Sequence, residues 1–295
     1  MLDVVRRLHC FADSEVFGRR LSRRARIGCA QVRIHRFPDG ESSVRVRSPV
    51  GKHALLVRSL HDPNAKLVEV ALGADALRRA GADRVTLIAP YLPYMRQDAV
   101  FRVGEAISQR VVCRWLASEF DALLTLEPHL HRLESLREFF PGTRSVLPSA
   151  PVFIDWLRRA PRPLVLVGPD EESEPWVRAI ARGADCEWMV GRKHRRGDRS
   201  VSIELPHAPD ADHAIIVDDI ASSGVTLAEA ARQLFRAGVR IVDAAVVHAI
   251  FAPGAIDRIH ESGVREISSC DTIPHPTNRL HTAMVFADSL AQELP

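Results

Sequence analysis

The residues best suited to chemistry lie in one run, Ile215-Ile216-Val217-Asp218-Asp219-Ile220-Ala221-Ser222-Ser223-Gly224-Val225-Thr226. An apolar strand leads into two acids, then a short Ser/Gly/Thr loop, then a helix. The first N–H groups of a helix have no partner inside it and lie at the positive end of its dipole, so small residues at that point suit a phosphate. Asp218 and Asp219 can accept hydrogen bonds from sugar hydroxyls, and ligands of open α/β sheets bind at the carboxyl ends of strands. The plainer reading is a helix cap beside a solvated acid pair. Acids, small loop and Thr226 occurring together favour a sugar phosphate.

Other short runs carry weaker signals. Phe37-Pro38-Asp39-Gly40-Glu41 follows a predicted strand, Val32 to Arg36, and reads locally as a turn. Tyr94-Met95-Arg96-Gln97-Asp98 follows a strand and a Pro-containing bend, and Gly104-Glu105-Ala106-Ile107-Ser108 opens a helix. Thr125-Leu126-Glu127-Pro128 precedes His129-Leu130-His131, whose spacing puts both imidazoles on one face if the chain is extended. That suits a metal, or equally a surface histidine pair. Pro169-Asp170 follows the strand Leu164 to Val167. Arg192-Lys193-His194-Arg195-Arg196-Gly197-Asp198 reads as a mobile basic loop between Gly191 and Gly197, with a solvated charge run or a nucleic-acid contact as the alternatives. No G-x-x-x-x-G-K-[ST] phosphate loop occurs in the chain.

The elements that must position these residues are short apolar strands alternating with helix-period stretches. Strands are predicted at Leu55–Val57, Val85–Ala89, Ala122–Thr125, Leu164–Val167 and Ala214–Val217. Between the first two, Leu67, Val70, Ala74 and Leu77 fall on one helical face, with Asn64 as its N-cap and Gly81 as its end. Further helices fit Ser108–Ser118, Glu174–Arg182 and Leu227–Ala237. Continuous apolar strands in repeated β-α-β order mean a parallel sheet buried on both faces. Ala54-Leu55-Leu56-Val57 leads through a helix to Arg79-Ala80-Gly81 and a strand; Ala214-Ile215-Ile216-Val217 leads to Arg236-Ala237-Gly238 and a strand. The echo is either common α/β grammar or two similar domains with a boundary near Pro148 to Pro151.

Composition narrows the function classes. The 295 residues are 46% hydrophobic and 26% charged, ordinary globular values that allow one large domain or two of typical size. Forty Lys and Arg against 37 Asp and Glu give +3, too balanced to argue for nucleic acid or a membrane surface. No apolar run reaches the length of a membrane span, and charge at Asp3, Arg6 and Arg7 interrupts any secretory core. Five cysteines without a C-x-x-C fit free thiols and a cytoplasmic protein.

In this order, from Phe37 to Asp271-Thr272-Ile273-Pro274, the motifs resemble the ribose-phosphate pyrophosphokinase (phosphoribosyl-diphosphate synthetase) family. The Asp218–Thr226 run is also similar to the phosphoribosyl-diphosphate loop of phosphoribosyltransferases. The resemblance implies an α/β fold of two phosphoribosyltransferase-like domains, each a mostly parallel sheet flanked by helices. Their spans would be 1–147 and 148–295, with the last helix a candidate to pack back on the first domain. It implies Mg²⁺-dependent transfer of the β,γ-diphosphoryl group of ATP to ribose 5-phosphate, for nucleotide biosynthesis. Phe37, Asp39 and Glu41 would contact the adenine of ATP bound by a neighbouring subunit, so the chain would form a dimer-based homo-oligomer. Arg96 and Gln97 would bind the subunit's own ATP. His129 and Asp170 would lie at the magnesium site, and Lys193 and Arg195 on a catalytic loop. Asp218, Asp219, Ser222, Ser223, Gly224, Val225 and Thr226 would hold ribose 5-phosphate. No nucleic-acid or membrane partner is implied.

The chain departs from common bacterial members at Glu127-Pro128-His129-Leu130, at Gly104–Ser108, at Ala99, at Glu171–Pro175 and within Ser222–Thr226, and is somewhat closer to the archaeal type. A phosphoribosyltransferase would need the ribose loop but no ATP-binding motifs. A silent regulatory subunit would be expected to lose Lys193 and Arg195, which are present.

Overall fold

The computed structural model describes residues 6–130, 135–141, 146–196 and 200–292, with the backbone alone for 193–196, 200 and 201. Contacts divide the chain into two units. The first runs up to Pro148 and also takes in Thr272–Pro274 and the C-terminal segment from Ala283; the second is Ser149–Asp271 with His275–Thr282.

The elements in chain order begin with β1 (Arg6–Phe11), α1 (Glu15–Ala25), β2 (Cys29–Arg36), β3 (Ser42–Arg45), β4 (His53–Val57), α2 (Pro63–Arg79), β5 (Arg84–Ala89), α3 (Ser108–Glu119), β6 (Ala122–Leu126) and β7 (Val146–Leu147). The sheet order is β3-β2-β1-β4-β5-β6-β7, parallel except for the β2–β3 hairpin. Every residue of β4 and β6 is buried, as continuous apolar strands covered on both faces should be. Leu67, Val70, Ala74 and Leu77 of α2 are all 4% exposed or less and pack into the same core as Leu56, Leu87 and Leu123. Each of the leucines and Val70 contributes roughly 1.5–3 kcal/mol by leaving water.

The second unit follows with α4 (Ala150–Leu157), β8 (Val165–Gly168), α5 (Glu174–Ala184), β9 (Glu187–Val190), β10 (Arg192–Arg196), β11 (Ser200–Glu204), β12 (His213–Ala221), α6 (Val225–Arg236), β13 (Ile241–Ala249), α7 (Ala255–Glu261), β14 (Ile267–Cys270) and β15 (Asn278–Leu280). Its parallel sheet runs β15-β14-β13-β12-β8-β9, with β10–β11 as a separate antiparallel hairpin. The last helix, α8 (Ala283–Gln292), belongs to the first unit. There Phe286 meets Phe17 of α1 edge to face at 5.2 Å, and the Arg6 guanidinium donates to the Leu290 carbonyl at 2.6 Å.

The two units share a plan. In each, the parallel strands lie in the order second-first-third-fourth-fifth-sixth, and an antiparallel piece follows the second strand. The echo extends to hydrogen bonds. Gly81 and Gly238 both end their helices at positive φ, 104° and 96°. Gly81 N–H donates to Arg78 O and Ala82 N–H to Leu77 O, while Gly238 N–H donates to Phe235 O and Val239 N–H to Leu234 O. This is the glycine-terminated helix end in duplicate. The first residue of the third parallel strand is histidine in both: His53 Nε2 bonds Thr86 Oγ1 at 2.8 Å, and His213 Nε2 bonds Asp243 Oδ2 at 2.8 Å.

Two local expectations are corrected. Asn64 does not cap α2, since Asp62 precedes a proline at the first helical position, a favourable start, and the Asn64 side chain instead accepts the Tyr94 hydroxyl. The stretch from Arg192 is not a loop but strand β10, paired with β11 so that Lys193 faces Ile203 and Arg195 faces Val201. Its partner lies downstream, where Ile203 is 3% exposed and anchors the hairpin in the core.

Candidate functional site

In the second unit, β8 and β12 are adjacent and parallel, with Ala214 opposite Val165 and Ile216 opposite Val167. The chain order reverses between them, so their carboxyl ends form the switch point where such sheets bind ligands. Asp170 follows β8, and the Asp218–Thr226 run ends β12 and opens α6. The topology therefore gathers these candidates at one edge.

The acids do not end the strand, as the sequence reading had it; pairing continues to Ala221. Both acids are half-buried, and Asp218 Oδ1 accepts the N–H of Asp219 at 3.0 Å. The loop beyond is held from behind: Ile250 N–H donates to Ala221 O at 3.1 Å, Ala252 N–H to Ser222 O at 3.0 Å, and the Arg258 guanidinium to Ser223 O. Gly224 caps α6 at φ 75°, and a Cβ there would lie 2.9 Å from the Ala255 carbonyl and 3.0 Å from Ile259 Cγ1. Glycine is required twice over, by conformation and by the close approach of α7.

Asp170 is pinned through its own carbonyl, which accepts Ser173 O–H at 2.5 Å and Ser173 N–H at 3.1 Å. The hairpin carrying Lys193 and Arg195 is tied to this segment. Gly191 N–H donates to Gly168 O at 2.9 Å, and Arg192 Nε pairs with Glu171 Oε1 at 3.2 Å. A Cβ on Gly191 would stand 2.6 Å from Ile203 Cγ2 and 3.2 Å from the Pro169 carbonyl. The Lys193 and Arg195 side chains lie outside the described residues.

In the first unit, Phe37–Glu41 forms the loop of the β2–β3 hairpin. Phe37 N–H donates to Glu41 O at 2.8 Å, Gly40 N–H to Phe37 O at 3.0 Å, and Glu41 N–H to Asp39 Oδ1 at 3.1 Å. Phe37, Asp39 and Glu41 are exposed, and the Phe37 ring meets His35 edge to face at 4.7 Å. Arg96 and Gln97 follow β5; Arg96 is exposed and Gln97 half-buried. Gln97 O accepts from Gln109 N–H at 3.2 Å, and Glu105 Oε2 accepts from Gln97 Nε2 at 3.4 Å and from the N–H groups of Phe101 and Arg102 at 3.1 and 3.0 Å. Beside this corner burial pushes the Tyr91 hydroxyl pKa up, against the pull of Arg96.

His129 follows β6, the parallel neighbour of β5. Its φ of 55°, with 39° at Glu127, is left-handed, so the extended geometry that would align two imidazoles is not adopted; His131 lies outside the described residues. Among the described residues no three His, Cys, Asp or Glu side chains converge as a metal cluster.

Sequence reasoning missed a buried ionic network in the first unit. Arg58, 3% exposed, pairs through Nη1 with Glu69 Oε2 at 2.6 Å and through Nη2 with Asp13 Oδ2 at 3.2 Å, and its guanidinium lies 4.2 Å from the Phe11 ring centre. Lys66 Nζ reaches Asp13 Oδ2 at 3.2 Å, and burial lowers its pKa against the pull of Asp13. The signal was present: an arginine directly after an all-apolar strand, and a glutamate on a helix whose neighbours Leu67 and Val70 are core residues.

Comparison with known proteins places this geometry. A family profile described as the N-terminal domain of ribose phosphate pyrophosphokinase matches residues 7–119, and a phosphoribosyl transferase domain profile matches 153–279. A ribose-phosphate pyrophosphokinase 2 from Archaeoglobus fulgidus is 32% identical over 280 residues, 94% of this chain and 97% of the relative. The chain belongs to the ribose-phosphate pyrophosphokinase family. A relative of that name from Thermococcus kodakarensis is 34% identical over 85% of this chain and 88% of its own length. A crystal structure of phosphoribosylpyrophosphate synthetase from Mycobacterium smegmatis superposes with a TM-score of 0.82 at 23% identity, covering 97% of this chain and 98% of that one, which establishes the shared fold. Among the described residues no helix is long and apolar enough to cross a membrane.

Proposed function

We propose that this family member transfers the β,γ-diphosphoryl group of ATP to the C1 hydroxyl of ribose 5-phosphate. The observation that carries the reading is end-to-end similarity to ribose-phosphate pyrophosphokinases, and the glycine-capped loop after β12 supports it. The C1 oxygen bonds to the β-phosphorus, the bond from that phosphorus to the α,β-bridging oxygen breaks, AMP leaves and the proton of the C1 hydroxyl is released. Several negative charges must meet, so catalysis is mainly positioning and charge neutralisation. Ser222, Ser223, Gly224, Val225 and Thr226 bind the 5-phosphate at the start of α6, and Asp218 and Asp219 accept the ribose hydroxyls. Arg96 and Gln97 bind ATP. Lys193 and Arg195 neutralise the transferring group. Phe37, Asp39 and Glu41 serve the adenine of a neighbouring subunit's ATP, which makes the active form a homo-oligomer built on dimers.

Magnesium would be held by His129 and Asp170. An imidazole and a carboxylate are donors such an ion would accept, and a hard cation would draw the rest of its shell from oxygen ligands. When bound, it offsets charge on those oxygens. Purified protein with ATP, Mg²⁺ and ribose 5-phosphate should form AMP only when the sugar phosphate is present. A phosphoribosyltransferase would give no ATP-dependent AMP, and that result would replace the reading.

A further inference from the structure

Glu69 is a carboxylate on α2 with 1% exposure, a costly placement unless it is paired. Its partners come from two directions. On one side stands Arg58 at 2.6 Å, itself held by Asp13. On the other stand Ser42, whose hydroxyl donates to Glu69 Oε1 at 2.9 Å, and Arg36, whose Nη2 reaches the same oxygen at 3.4 Å. Arg36 and Ser42 are opposite one another in the β2–β3 ladder and close the loop Phe37–Glu41. One buried carboxylate thus grips both strands of an edge hairpin immediately below its tip and ties them to the arginine that follows β4. The tip has little else to fix its angle, since Phe37, Asp39 and Glu41 are all exposed.

We propose that Glu69 is a positioning residue for ATP recognition: through Ser42 and Arg36 it sets the angle at which the Phe37–Glu41 loop is presented to adenine. The inference rests on the reading of that loop as an adenine contact. Glu69 touches no substrate, and its effect is confined to the affinity step.

The test uses the full-length oligomer and three variants. Ser42→Ala removes the hairpin-side bond and leaves the Glu69–Arg58 pair; Glu69→Gln weakens both sides; Phe37→Ala removes a proposed adenine contact itself. Hydrogen bonds to charged groups are the stronger class, so Ser42→Ala should raise KM for ATP about three- to tenfold and Glu69→Gln about tenfold or more. kcat and KM for ribose 5-phosphate should stay within about twofold, a split that general loosening of the fold would not produce. Amide hydrogen exchange at Phe37 and Glu41 should quicken in Ser42→Ala while exchange in β4 and β5 stays as in the parent. If Phe37→Ala raises KM for ATP but Ser42→Ala changes neither KM nor loop exchange, Glu69 is only a structural ion-pair partner and the proposal is overturned. If Phe37→Ala itself leaves KM for ATP unchanged, the adenine reading of the loop fails and the proposal fails with it, by a different signature.

Discussion

Gly224→Ala is the sharpest perturbation of the loop proposed to hold ribose 5-phosphate, because a second glycine on the same helix supplies its control. Gly224 opens α6 at φ 75° and Gly238 follows it at φ 96°. An alanine at either site accepts a left-handed backbone, at about 1–2 kcal/mol. At Gly238 nothing lies within 4 Å of the new Cβ, so the cost ends there. At Gly224 the Cβ would lie 2.9 Å from the Ala255 carbonyl, closer than real Cβ atoms come, and 3.0 Å from Ile259 Cγ1. The carbonyl is backbone and cannot swing aside as a side-chain end could. Overpacking of this kind typically costs a further 1–3 kcal/mol. The loop can relieve it only by moving Ser222 and Ser223 off their bonds to Ala252 N–H and Arg258. Thermal denaturation should therefore show Gly224→Ala melting well below Gly238→Ala, by roughly 2–4 °C per additional kcal/mol. Steady-state kinetics should show KM for ribose 5-phosphate raised in Gly224→Ala alone, with KM for ATP little changed. Equal melting temperatures and equal KM values in the two variants would refute both the close packing against α7 and the loop's role in holding the phosphate.

Other outcomes follow from the same geometry. Asp218→Asn should raise KM for ribose 5-phosphate about ten- to hundredfold and that for ATP far less, as expected for a charged hydrogen bond to the sugar; equal effects on both substrates would give Asp218 another role. Lys193→Ala or Arg195→Ala should lower kcat on the order of 10²–10³-fold with little change in melting temperature, and retention of more than about half of kcat would remove the hairpin from the catalytic centre. Inactive Glu41 and Arg96 variants, mixed and reassembled, should partly restore one another, whereas full activity from a monomer would rule out a shared adenine pocket. Burial lowers the His53 pKa from 6.5 to about 4. Above pH 6.5 the ring is neutral folded and unfolded; as pH falls toward 4 the unfolded chain takes the proton first, so stability drops by at most about 1.4 kcal/mol per pH unit. The melting-temperature gap between the parent and His53→Gln should therefore narrow from pH 7 to pH 4.5, and a constant gap would show that His53 titrates normally.

Local, repetitive features were legible in the sequence. Leu55–Val57 and Ala122–Leu124 are apolar throughout, as strands buried on both faces are. The Arg-Ala-Gly echo was readable because a helix end at positive φ selects glycine whatever packs around it. Long-range pairings were not legible. β10 is almost wholly basic, and only the later Ile203, buried against Gly191, reveals that it is half of a hairpin. The spacing of His129 and His131 suggested a shared face, but that argument needs extended backbone, and His129 is left-handed. Asn64 has the chemistry of a cap, yet Tyr94, thirty positions on, takes its side chain. The partners of Glu69 were not legible, because Arg36, Ser42 and Arg58 come from β2, β3 and the residue after β4.

The central claim is transfer of two phosphoryl groups as a unit, and two labels test it most directly. ATP radiolabelled at the β-phosphorus in one reaction and at the γ-phosphorus in another is incubated with Mg²⁺, ribose 5-phosphate and the purified protein. Diphosphoryl transfer predicts both labels in 5-phosphoribosyl 1-diphosphate, with AMP formed in equal amount and no ADP. Label entering the sugar product from the γ position alone, with ADP released, would contradict it.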